Sequence, residues 1–283
     1  MTFFEILKAV LFGIVEGVTE WLPVSSTGHI ILLEAICPLN ISANVYDLFE
    51  IVIQLAAILA VIVLFFRKLN PFSPKKDAPQ KKNTWDLWFK VIVAVLPSAV
   101  IGLAVDGPLD DFLRATPVLG TTLNTIVVAV ALIIYGVLFI LLENKKDSKV
   151  KITDTTQIDY KTAVFIGLFQ CLSIIPGTSR SGATILGAII LGVARPAGAE
   201  FSFFLAIPTM LGASLLKLLT FEGTMNSTEL VVLLVGCLVS FLVSMAVIKG
   251  LMEYVRKHSF SVFGWYRIAL GLLVLVYFLF QSI

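Results

Sequence analysis

Apolar positions fill this chain in long runs separated by short polar stretches. Uncharged or nearly uncharged segments extend roughly over Leu48 to Phe66, Leu87 to Val105, Leu119 to Leu142, Phe201 to Leu219, Leu230 to Ile248 and Phe263 to Phe280. A helix rising about 1.5 Å per residue crosses a hydrocarbon core about 30 Å thick in runs of this length, so the pattern predicts six full spans. Two further regions, Phe3 to Ile36 and Ala163 to Val193, are apolar but broken near the middle. The breaks are Pro23-Val24-Ser25-Ser26-Thr27-Gly28 and Pro176-Gly177-Thr178-Ser179-Arg180-Ser181-Gly182. Each region predicts two short helices joined by a polar turn.

Composition makes the bilayer the solvent. The 283 residues are 58% hydrophobic and only 14% charged, with a mean hydropathy of +0.97, outside the range of water-soluble domains. The first apolar region has no basic leader and contains Glu16 and Glu20, so it reads as part of the mature protein and not as a signal peptide. Cys37, Cys171 and Cys237 lie in or beside apolar segments with neither disulfide nor metal spacing, and read as small hydrophobic residues. A net charge of +2 gives no reason to invoke nucleic acid. The basic residues sit in connecting loops, where they report topology.

An internal repeat organises the chain. A shift of 154 positions lays Gly13 on Gly167, Glu16 on Gln170, Ser25 on Ser179, Thr27 on Ser181, Gly28 on Gly182 and Leu32 on Leu186. The same shift places Phe49 on Phe203, and a slightly smaller one brings Leu96, Ser98 and Ala104 onto Leu238, Ser240 and Ala246. Two halves follow, residues 1–145 and 161–283, joined by a cytoplasmic linker over 146–160. A broken hairpin adds either no crossing or two, so each half crosses the membrane an odd number of times and the second half is inverted. The expected fold is an all-α integral membrane protein, an inverted repeat whose halves each hold a re-entrant helix pair and three transmembrane helices.

Loop charge orients it. Arg67 to Lys82 carries six basic residues against Asp77, and Lys249, Arg256 and Lys257 mark the last short loop, whereas Asp106 to Arg114 and Phe221 to Glu229 are acidic. Basic loops face the cytoplasm, which leaves both termini outside. The first broken region then dips in from the outer face and the second from the cytoplasmic face, so their turns can meet within the membrane, where inverted-repeat proteins place their sites.

Chemistry concentrates at those turns. Glu16 and Glu20, four apart on a helix, share one face, and carboxylates in an apolar segment cost a few kcal/mol each. Ser25-Ser26-Thr27-Gly28-His29 supplies hydroxyls and an imidazole at a helix start, where unpaired backbone N–H groups attract anions. Ser179, Arg180, Ser181 and Thr184 supply a second helix start with a guanidinium inside it, suited to bidentate contact with phosphate. Two carboxylates beside an anion site would repel a phosphate unless protons or a divalent cation lay between them. Mg²⁺ or Ca²⁺ held by Glu16 and Glu20 resolves that conflict. Glu50, Gln54, Glu200 and Lys217 are further polar residues at or within spans; the first three either support the site or face the interior, and Lys217 snorkels.

Both segments, Glu16 to His29 and Pro176 to Ile185, resemble the two signature motifs of the undecaprenyl pyrophosphate phosphatase family, also called the bacitracin-resistance protein family. The resemblance extends to Phe49-Glu50-Ile51-Val52-Ile53-Gln54-Leu55 and Glu200-Phe201-Ser202-Phe203, and so covers nearly the whole chain in order; Trp21, where many relatives carry phenylalanine, is a mild departure. It implies a metal-dependent phosphatase of the bacterial plasma membrane. The implied substrate is a long-chain polyprenyl pyrophosphate, cleaved to the monophosphate and inorganic phosphate, with protection against bacitracin as a consequence. By resemblance, Glu16 and Glu20 handle metal or protons, Ser26 is the nucleophile, Arg180 clamps phosphate, and Ser25, Thr27, Ser179, Ser181 and Thr184 line the pocket. On residue chemistry alone His29 remains an alternative nucleophile or a proton donor. The site is expected to open to the extracytoplasmic side, and a homodimer is left open. A lipid flippase or secondary transporter is the competing function, because discontinuous helices in inverted repeats also build carriers.

Overall fold

The computed structural model describes residues 2–118, 121–143 and 150–281. The expected onset of the third span at Leu119 and the boundary at residues 145 and 146 lie outside the described residues. Among these residues eleven α-helices follow in order: α1 (Thr2–Thr19), α2 (Ser26–Ile36), α3 (Ala43–Leu64), α4 (Phe66–Leu69), α5 (Ala78–Ala115), α6 (Leu123–Glu143), α7 (Tyr160–Cys171), α8 (Arg180–Ile190), α9 (Arg195–Leu219), α10 (Ser227–Lys257) and α11 (Ser261–Gln281). One short hairpin pairs Pro117–Val118 with Thr121–Thr122 between α5 and α6. The chain is a helical membrane protein; among the described residues six helices, α3, α5, α6, α9, α10 and α11, are long and apolar enough to span.

Several helices outrun their apolar stretches for a local reason. In α5 the Asp77 side chain accepts from the Gln80 N–H while Gln80 reaches back to Asp77, a reciprocal cap that starts the helix nine residues before Leu87. Asn226 and Glu229 do the same for α10. Hydropathy registers only the hydrocarbon-facing part of a helix, whereas capping carries it on into the interface.

The two apolar regions with polar breaks take one local form. α1 stops at Thr19 and α2 starts at Ser26; α7 stops at Cys171 and α8 starts at Arg180. Among the described residues, the only non-glycine positions with positive φ are Ser25 (72°) and Ser179 (71°), which immediately precede α2 and α8. Such backbone is strained for an L-residue by about 1–3 kcal/mol.

Small residues let the long helices close on one another where dispersion, and not the hydrophobic effect, must hold them. α6 and α11 cross where a Cβ on Gly136 or on Gly264 would lie 2.7 Å from the other's carbonyl oxygen. α1 meets α10 at Gly13 and Gly236, and Ser240 Oγ on α10 donates 3.0 Å to the Ile53 carbonyl of α3. The second short helix, α8, is buried from Arg180 through Ala188, at the centre of a core that includes Trp21, Phe139, Phe201, Phe203, Phe204 and Phe260. Apolar side chains such as Leu103 and Leu219 point outward, as lipid contact requires.

Gly264→Leu should therefore wedge α6 from α11 and destabilise the fold by about 1–3 kcal/mol. Thermal unfolding in detergent measures it; an unchanged midpoint would mean that the seam is looser than described.

Candidate active site

The first turn is made by α1 and α2. The Glu20 N–H still donates 3.0 Å to the Glu16 carbonyl, so the two carboxylates leave one continuing helical turn. Pro23 can make no further helix bond, Val24 N–H closes a tight turn onto the Leu22 carbonyl at 2.7 Å, and Ser25 reverses the chain. Ser26 then occupies the first helical position of α2. The second turn follows α7 through a 3-10 turn at Leu172–Ile174 and Gly177, whose φ of +86° suits a residue with no Cβ. There the Ser179 Oγ accepts from the Gly182 N–H at 3.1 Å and caps α8.

Both turns meet through a buried ion pair. Arg180 Nη2 donates 3.0 Å to Glu20 Oε1, the two side chains being 7% and 6% exposed. Arg180 Nη1 donates 2.9 Å to the Ser202 carbonyl of α9. The other Glu20 oxygen accepts from Ser26 Oγ at 3.3 Å, so one carboxylate faces the guanidinium and a serine hydroxyl together. Ser181 Oγ donates 3.1 Å to the Glu20 carbonyl, and Ser179 and Ser181 hydroxyls lie 3.2 Å apart. Thr184 Oγ1 is bonded to the Arg180 carbonyl at 2.9 Å and to Ser202 Oγ at 2.6 Å, which holds the start of α8 against α9.

His29 is committed on both ring nitrogens. A carbonyl can only accept, so Nδ1, 2.7 Å from the Ser25 carbonyl, carries the proton. The neutral ring then accepts from the Tyr266 hydroxyl through Nε2 at 2.6 Å. The imidazole thus ties the strained Ser25 to α11.

Glu16 is almost wholly buried; its Oε1 has no hydrogen-bond partner in the protein, and its charged neighbours are Glu20, Glu50 and Arg180. Among the described residues no group of three or more His, Cys, Asp or Glu side chains is arranged around a metal position. Mg²⁺, however, is commonly held by one or two carboxylates completed by phosphate oxygens and water, without a full protein cage. The free Glu16 oxygen fits that mode. Ser25 Oγ and Arg180 Nε are likewise buried and without protein partners, so donors remain for an anion.

Of the predicted residues, Glu20, Ser26, Ser179, Arg180, Ser181 and Thr184 form one bonded cluster, with Glu16, Ser25 and His29 at its edge. Thr27 is exposed and makes no side-chain hydrogen bond among the described residues. Glu200 lies elsewhere: it pairs with Lys68 and accepts from Thr155 Oγ1. Lys217 pairs with Asp47 at 3.4 Å. Sequence reasoning missed Ser202, Tyr266 and Arg267. Arg267 is the notable omission, since a lone arginine inside an apolar span is itself a signal of function.

The model of the family described as bacitracin resistance protein BacA matches residues 9–273 of this chain. The chain is 54% identical over 279 residues to an undecaprenyl-diphosphatase of Enterococcus faecalis, covering 98% of each chain. It is 54% identical over 274 residues to undecaprenyl-diphosphatase 1 of Clostridioides difficile (strain 630), covering 97% of this chain and 96% of that one. An undecaprenyl-diphosphatase of Acetivibrio thermocellus is 51% identical over 276 residues, 97% and 98% of the two chains.

Removing one member of the buried pair leaves the other charge uncompensated. Arg180→Met should cost about 3–5 kcal/mol, and adding Glu20→Gln should restore most of it. Unfolding midpoints of the two single variants and the double variant measure the coupling; strictly additive effects would mean that the pair does not form.

Proposed function

This chain belongs to the bacitracin resistance protein BacA family, and from that premise we propose how its two turns carry out the family's chemistry. The protein is an undecaprenyl-diphosphatase of the bacterial plasma membrane, which hydrolyses undecaprenyl pyrophosphate to undecaprenyl phosphate and inorganic phosphate. Ser26 is the nucleophile, and the observation that carries this assignment is its hydroxyl 3.3 Å from Glu20 Oε2. Glu20 takes the proton as Ser26 Oγ attacks the terminal phosphorus. The bond from that phosphorus to the bridging oxygen breaks, and undecaprenyl phosphate departs, taking the proton from Glu20 and so restoring the carboxylate. Glu20, ionised again, takes a proton from water as the water attacks the phosphoserine, and returns it to Ser26 Oγ as the phosphorus–Oγ bond breaks, which releases inorganic phosphate and restores Ser26.

The serine is preferred over His29 because both imidazole nitrogens already serve the fold. His29 is instead a positioning residue for Ser25 and the start of α2. Arg180 clamps the phosphoryl group: two of its nitrogens hold Glu20 and Ser202, and Nε is left as a donor. The N–H groups at the starts of α2 and α8 add their share of positive potential. Ser25, Ser179, Ser181 and Thr184 shape that pocket, and Thr27 lies at its exposed side. A divalent cation, Mg²⁺ or Ca²⁺, would be held by Glu16 with Glu20 and would neutralise pyrophosphate charge there. A flippase would need groups to bind a phosphate, but no hydroxyl paired with a carboxylate beside it.

The halves are read as an inverted repeat of re-entrant pairs. Supporting this, Ser25 and Ser179 share one strained conformation at matching positions, and α1 packs on α10 as α7 packs on α5. The charge of the loops supports a first turn on the extracytoplasmic side, with the site opening there.

Ser26→Ala should lower kcat at least about 10³-fold, whereas His29→Ala should retain measurable turnover. Phosphate release by purified protein from long-chain prenyl pyrophosphate measures both, and the reverse ranking would transfer the nucleophile role to His29. Exhaustive chelation should abolish release, with recovery on adding Mg²⁺ or Ca²⁺; full turnover after chelation would remove the cation from the mechanism.

A further inference from the structure

Arg267 lies in the first half of the last span, is 0% exposed, and has no carboxylate partner among the described residues. Its hydrogen-bond partners are instead three backbone carbonyls, all at the two helix breaks. Nη1 donates 3.1 Å to the Pro23 carbonyl of the first turn; Nη2 donates 2.9 Å and 3.0 Å to the Gly177 and Thr178 carbonyls of the second. The guanidinium rests against Tyr135 of α6, its Cζ 5.4 Å from the ring centroid. Carbonyls released by a helix break inside a membrane need donors, because no water is there to satisfy them. One planar fork with five donors reaches both breaks at once, which a single lysine nitrogen cannot do.

The carbonyls it holds adjoin the site. Pro23 stands two residues before Ser25, and Thr178 immediately before Ser179. The turn carrying Glu20 and Ser26 is thus locked to the turn carrying Arg180 by a second tie, independent of the Glu20–Arg180 ion pair. We infer that Arg267 is a positioning residue for phosphoryl transfer, setting the separation of the nucleophile turn from the phosphate-clamp turn. This inference rests on the phosphatase reading above.

Arg267→Lys keeps the charge and loses one leg of the tie. A displacement of about 1 Å between reacting groups costs about 10²-fold in rate. The variant should therefore lose about 100-fold in kcat, with the Kd for a non-hydrolysable methylene-bridged prenyl diphosphonate within about threefold of wild type and a near-native unfolding midpoint. Gly182→Ala offers a second probe with Arg267 in place: the new Cβ would sit 3.1 Å from Nη1 and 3.2 Å from Ser179 Cβ, pressing the guanidinium and the clamp turn apart, while alanine favours the helix. It should lower kcat severalfold without loss of stability. Wild-type kcat in either variant would overturn the inference, as would loss of kcat only in proportion to the unfolded fraction, which would make Arg267 merely structural. A fall in analogue affinity matching the fall in kcat would overturn it too, by making Arg267 a binding group. If the wild-type protein itself released no phosphate, the phosphatase reading would fail, and not this tie.

Discussion

A guanidinium and a carboxylate 160 positions apart in the chain, Arg180 and Glu20, meet at 3.0 Å in the interior of a protein whose solvent is lipid. Neither charge could stay there alone, because an unpaired ion in a low-dielectric interior costs several kcal/mol. Their pairing therefore requires that the two broken regions be brought together, and the surrounding structure meets that requirement. α8, which carries Arg180, is buried from Arg180 through Ala188. Ser202 takes the spare guanidinium nitrogen through its carbonyl, and its hydroxyl fixes Thr184. Glu20 keeps one oxygen for Ser26, so the pair that closes the fold also leaves a base against a hydroxyl.

Strain tells of the same demand. Glycine would occupy φ near 70° without penalty, yet both turns place a serine there. At Ser179 the hydroxyl caps α8 through the Gly182 N–H, so the side chain offsets part of its backbone cost. At Ser25 the hydroxyl is buried and has no protein partner, while the carbonyl is held by His29. The two turns share a backbone form but not a use: one is capped from within, and the other leaves Ser25 Oγ and, in the helix before it, Glu16 Oε1 without protein partners.

Much of this is legible in the sequence. Six spans and both breaks can be read from it because length and hydropathy govern what crosses a bilayer. The meeting of Glu20, Ser26 and Arg180 can be anticipated because charges inside apolar segments must find partners. What stays hidden depends on tertiary contact. Tyr266 and Arg267 sit in a span that mean hydropathy passes as ordinary; the lone arginine is a signal there, but what the two residues hold, His29 for one and the Pro23, Gly177 and Thr178 carbonyls for the other, depends on tertiary contact. Ser202 meets Arg180 through its backbone carbonyl, which carries no residue signature, and its hydroxyl finds Thr184 only in the folded chain. Glu200 looks equivalent to Glu50 in hydropathy, yet it pairs with Lys68 away from the turns.

The central claim is that Ser26, with Glu20 as its base, forms a covalent bond to the terminal phosphorus. Acid quench of the enzyme during its first turnover on substrate bearing ³²P in the terminal phosphate tests it directly. The account predicts labelled protein that appears before free phosphate, with the label mapped by mass spectrometry to phosphoserine at Ser26. Label on His29, or phosphate released in the first turnover with no labelled protein, would contradict it.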